Sequence, residues 1–114
     1  MKKKRLWILI PCALNKRLFV MQVKRCKKIS NNELRERLSG IPGESTVSQL
    51  KNVVIPEMDD LTHKVNQNDF PNKENRFVLS FALAFRDWGW NIQEPTPLFS
   101  ALRRLNDLYQ RLEN

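Results

Sequence analysis

Apolar positions after Ile29 recur with helical spacing almost to the end of the chain, and turn-forming residues cut them into segments. Ser30-Asn31-Asn32-Glu33 has the S-x-x-E form of a capping box, with Ile29 and Leu34 placed as a hydrophobic staple across it, which predicts a helix start at that point. Leu34 and Leu38 share a face of this helix, and Gly40, Pro42 and Gly43 end it. From Ser45 onward, Val47, Leu50, Val53, Val54, Met58, Leu61 and Val65 form one stripe. Pro56 lies opposite the stripe, whose phase continues through it, so the pattern predicts one helix kinked at the proline rather than two helices.

Residues 68–72 form a connection. Beyond it, Phe77, Phe81, Phe85 and Trp88 fall within about 80° of one another on a helical wheel. Ser80 is the one polar residue between Phe77 and Phe85, which predicts a helix contacted from several sides, in the middle of the domain, with those three phenylalanines in the core. The segment stops at Trp88-Gly89-Trp90. Pro95-Thr96-Pro97 then opens a last helix, with Thr96 as cap and Pro97 at the first helical position. There Leu98, Leu102, Leu105, Leu108, Tyr109 and Leu112 fill an arc of about 120°, opposite Arg103, Arg104, Asp107 and Arg111. The expected fold is all-α, a small antiparallel bundle of about four helices making a single domain over residues 29–114.

Charge changes the picture for the first quarter of the chain. The 114 residues carry a net charge of +8, and residues 1–28 hold ten Lys and Arg with no acidic residue. The rest carries ten Lys and Arg against all twelve Asp and Glu, a balance of −2. Leu6–Ile10 and Leu18–Val23 favour β structure and are separated by a Pro-containing connection, so residues 1–28 read as a basic N-terminal extension, hairpin-like or loosely packed. Lys2–Arg5 followed by Leu6–Leu14 resembles the start of a secretory signal, but no small-x-small cleavage site follows. A bilayer span needs about 20 apolar residues and would place Lys16 and Arg17 in mid-membrane, leaving a surface anchor as the membrane reading.

The chemistry is sparse. Cys12 and Cys26 make no metal-binding spacing and read as reduced thiols of a cytoplasmic protein, and Pro11 argues against lipid attachment at Cys12. Asp60 and His63 have the i, i+3 spacing of a carboxylate–imidazole ligand pair, but His63 is the only histidine, and such sites need a second pair. Three glycines and no phosphate-binding loop argue against nucleotide chemistry. No enzyme activity, metal, cofactor or small-molecule substrate is expected.

Two constellations remain. Glu33–Asn52, with Leu34, Leu38, Gly40, Ile41, Thr46, Val47 and Leu50, resembles a repressor-type helix-turn-helix, although Glu36 stands where that motif takes a small residue. This resemblance implies DNA contacts from Ser45, Thr46, Gln49 and Lys51, with Lys24, Arg25, Lys27 and Lys28 as a phosphate-binding arm. Trp88, Trp90 and Tyr109 are candidates for anchoring a partner protein, and Trp90, just beyond a helix end, is expected to be partly exposed. The leading expectation is a non-catalytic module that binds another protein, as a regulator, an antitoxin or immunity-type inhibitor, or an adaptor. A DNA-binding regulator is the alternative, and a peripheral membrane protein held by the leader is the second.

Overall fold

The computed structural model describes the backbone of residues 2–113 and the side chains of residues 14–113. Among them the chain is all-helical, with four helices of eight residues or more in a compact globule. Helix α1 spans Lys2–Leu38 and packs against both α3 (Ile55–Asn66) and α5 (Pro97–Gln110). Helix α4 (Leu79–Arg86) rests on α5. A short helix α2 (Val47–Gln49) leads through a π-helical segment, Leu50–Val54, into α3, and a 3-10 turn covers Lys73–Asn75.

The boundary expected near residue 28 is not a structural break. Leu18–Val23 is helical, not a strand, and Phe19, Val23 and Cys26 on its inner face belong to the core. Their i, i+4, i+7 spacing continues at Ser30, whose buried hydroxyl donates to the Cys26 carbonyl at 2.7 Å. Ser30 therefore does not cap a helix. It satisfies its polar group inside one, as a mid-helix serine commonly does. Burial pushes the Cys26 thiol up to about 12, which leaves it protonated at neutral pH. Leu6–Ile10, the other half of the expected hairpin, is helical as well, while the expectations placed on the side chains of Lys2–Arg5 and Cys12 lie outside the described side chains.

Gly40 ends α1 as the sequence suggests. Its φ of +88° lets Ile41 N–H reach the Glu36 carbonyl at 2.9 Å and Gly40 N–H the Arg37 carbonyl at 3.1 Å, the two bonds of a Schellman motif. Arg37 then folds the following loop onto the helix. Its Nε donates to the Ser45 carbonyl at 2.6 Å, and its guanidinium occupies the space that a Cβ on Gly43 would need. Thr46 caps α2 in a capping box with Gln49, so the working S/T-x-x-E/Q box lies sixteen residues beyond Ser30.

The helical path across Pro56 is continuous, and its perturbation falls one turn earlier. Pro56 offers no N–H, and its ring crowds the carbonyl four residues back, so the preceding turn widens to a π register in which Ile55 N–H bonds to the Leu50 carbonyl. Leu50, Val54, Met58, Leu61 and Val65 keep their common buried face through this change. At the other end of α3, Asn68 takes φ +54° and Asp69 N–H reaches the Lys64 carbonyl at 2.8 Å.

Two side chains fasten α4 and α5 from outside. Val78 provides no side-chain cap for α4. Instead the Glu57 carboxylate of α3 accepts from the N–H groups of Leu79 (2.6 Å) and Ser80 (2.7 Å) and from the Ser80 hydroxyl (2.5 Å), while Asn106 of α5 accepts from Val78 N–H at 2.8 Å. A carboxylate suits the positive end of a helix, yet burial raises its pKa against these donors. Arg76, buried in the core, donates to the Tyr109 (3.1 Å) and Leu112 (2.7 Å) carbonyls at the end of α5 and to the Pro71 carbonyl (3.0 Å). Phe70 and Tyr109 lie against its guanidinium, with ring centroids at 4.9 and 5.7 Å.

Candidate functional site

The last helix buries the face expected of it, Leu98, Leu102, Leu105, Leu108, Tyr109 and Leu112, and leaves Arg103, Arg104, Asp107 and Arg111 outside. Helix α4 does not take the central place expected of it. With only eight residues it covers one flank of α5, burying Ala84 and Ser80 and half-burying Phe81, while Phe77, Leu79 and Phe85 remain exposed. An apolar helix that is contacted mainly along one side must leave its other side in water.

The aromatic candidates change places accordingly. Trp90, expected to be partly exposed, retains 4% of its surface. The left-handed turn at Gly89 (φ +68°) folds it back against the edge of Phe99, with centroids 5.6 Å apart and planes at 87°. Trp88 is half-buried beside it at 5.4 Å, and Tyr109 is buried against Phe19 at 5.1 Å. These three hold the core together, and the surface aromatics are others.

Between α4 and α5 lies an open groove of about 500 Å³. Phe81 and Phe99, 5.8 Å apart, form its floor, and Phe85, 50% exposed, and Ile92, 53% exposed, stand on its walls with Pro95. Arg103 and Arg104 lie along the α5 side, with Asp107 a turn further on. Neither arginine makes an ion pair among the described residues. The arrangement is an aromatic trough with a cationic rim. It receives apolar side chains and offers charge-assisted hydrogen bonds beside them. The Gly89 turn brings Phe81 against Phe99 from 18 residues away, and helical periodicity alone carries no signal of that encounter.

The residues singled out for DNA contact divide into two groups. Ser45 is buried, donates to Glu33 and accepts from Arg37, and Thr46 and Gln49 bond to each other in the capping box. Their polar groups are committed within the turn, and Lys51 is exposed nearby. Lys24, Arg25 and Lys28 are exposed on α1, whereas Lys27 bonds to Asp59 at 2.5 Å.

His63 is exposed, and the carboxylates near it are drawn to lysines, Asp59 to Lys27 and Asp60 to Lys64 at 3.0 Å. Among the described residues no three His, Cys, Asp or Glu side chains converge as metal ligands, and no helix is long and apolar enough to cross a membrane. No known family model, curated protein or solved structure matches this chain.

Proposed function

We propose that this protein is a non-catalytic binding module that takes an amphipathic, acidic segment of a partner protein into the groove between α4 and α5. The observation that carries this reading is the exposure of Phe85 and Ile92 over a floor of Phe81 and Phe99. A small domain needs its large apolar side chains for packing, and those left in water beside a preformed trough are available for association. Charge selects the occupant. Arg103 and Arg104 line one side with no ion-pair partner among the described residues, so a helix or extended strand with apolar residues on one face and Asp or Glu beside them matches both features.

Selection of peptides from a displayed random library on the full chain tests this reading. The expected winners carry apolar residues at helical or alternating spacing flanked by acidic ones, and they bind Phe85→Glu at least about tenfold more weakly, because hot-spot aromatics typically contribute about 2 kcal/mol or more. Arg103→Glu weakens the same peptides. Selected peptides that bind Phe85→Glu as tightly as the unaltered chain place the binding surface elsewhere and overturn the reading.

A further inference from the structure

Beyond this groove, the outer side of α1 carries a row of cations. Taking 100° per residue, Arg17, Lys24, Lys28 and Arg35 lie within about 40° of one another, and the row points away from the buried face defined by Phe19, Val23, Cys26 and Ser30. All four side chains are exposed. Over 18 residues at 1.5 Å each, the row is about 27 Å long and straight. Among the described residues none of the four meets a carboxylate, whereas Lys27 and Arg37, off the row on the same helix, are neutralised by Asp59 and Glu33. Two shallow depressions along the helix share Lys24 and so run together, one bordered by Arg17 and Asn66, the other by Lys28, Asn31, Asn32 and Arg35.

From this geometry we infer a second binding surface, on which α1 lies along the phosphodiester backbone of a nucleic-acid duplex. A single file of unneutralised cations matches a line of phosphates, and the amides of Asn31 and Asn32 between them supply neutral donors of the kind that bond phosphate and sugar oxygens. An anionic bilayer would require several apolar side chains beside the charges to enter the acyl boundary, and between Arg17 and Arg35 this side of the helix exposes a single one, Met21, which borders the same depression as Arg17 and Lys24. Recognition is independent of sequence, because Ser45, Thr46 and Gln49, which would read base edges in a helix-turn-helix, are hydrogen-bonded within the protein.

Fluorescence anisotropy of the full chain with a labelled 20-base-pair DNA duplex, repeated with an RNA duplex and with phosphatidylserine vesicles, tests the proposal. Four phosphate contacts predict that log K falls against log salt with a slope of about −3.6 on DNA. Lys24→Gln with Lys28→Gln should reduce the magnitude of that slope by about 1.8 and weaken duplex binding about tenfold or more, while Lys73→Gln with Arg111→Gln, removing the same charge elsewhere, leaves both unchanged. Because Lys2–Arg5 add cations of their own, binding counts only through this contrast. Duplex binding that is absent at low salt, or equal in both double variants, overturns the inference. So does a Lys24/Lys28-dependent attachment to vesicles without attachment to either duplex.

Discussion

Arg76 illustrates what single side chains do in a domain of this size. Its fully buried guanidinium ties the end of α5 to the segment that leads into α4, bonding the Tyr109 carbonyl in the last turn of the helix and the Leu112 carbonyl just beyond it. Arg76→Met retains much of the volume but removes the charge-assisted donors from both carbonyls, and equilibrium urea unfolding should show a loss of about 2–4 kcal/mol. Arg76→Lys should recover little of it, since an ammonium cannot reproduce the planar fork or its stacking on Phe70 and Tyr109. Cys26 is the opposite kind of residue, inert because it is buried. With its thiol pushed up to about 12, about one molecule in 10⁴ carries the thiolate at pH 8. In a Cys12→Ser background, a disulfide reagent at pH 8 should therefore titrate Cys26 only after denaturant unfolds the chain. Rapid reaction in the native state would show that the inner face of α1 opens.

The elements differ in how plainly the sequence announced them. Helix α5 and the stripe from Leu50 to Val65 were legible because each has one continuous apolar face bounded by a cap or a turn residue, and the Gly40 stop was legible because a left-handed residue was required there. The inner part of α1 was not, since Phe19 and Val23 are spread among cations, and Ser30 mimics a capping residue while bonding to Cys26. Helix α4 misled in the other direction. Its apolar composition implied a central position, but the groove depends on where the Gly89 turn sends Trp90 and on Glu57 holding the first turn of α4. That inter-helix cap carries a pH signature. Burial raises the Glu57 pKa above its ordinary 4.5, so the folded chain takes up this proton more readily than the unfolded one. Its contribution to stability therefore becomes more favourable as pH falls through the raised pKa towards 4.5, and less favourable as pH rises. Relative to Glu57→Gln, which does not titrate, the unaltered chain should gain stability between pH 7 and pH 5. A difference that is flat or of opposite slope in urea unfolding would mean that the N–H donors of α4 outweigh desolvation.

For the whole molecule, α1 is both a wall of the core and the bearer of the cations. Of the ten positive charges in residues 1–28 that suggested a separable leader, the six with described side chains, Lys16, Arg17, Lys24, Arg25, Lys27 and Lys28, belong to a core helix whose inner face is packed. The cationic row points away from α5, and the groove lies on the side of α5 turned from α1, so the two proposed surfaces face in roughly opposite directions and can be occupied together. A truncation test follows. A chain beginning at Ile29 loses Phe19 and Val23 from the core and uncovers the faces of α3 and α5 that α1 packs against. Burying a Phe or Val side chain contributes about 1.5–3 kcal/mol, and partly buried Leu18 and Val20 add to the loss, against a total stability of about 5–15 kcal/mol for a small domain. Residues 29–114 alone should therefore lack a cooperative thermal transition by circular dichroism, whereas Arg17→Gln with Lys24→Gln and Lys28→Gln in the full chain should melt within a few degrees of the unaltered protein. A cooperative melt from residues 29–114 would instead make α1 an appendage, and the cationic row would then belong to a separable arm rather than to a rigid wall of the fold.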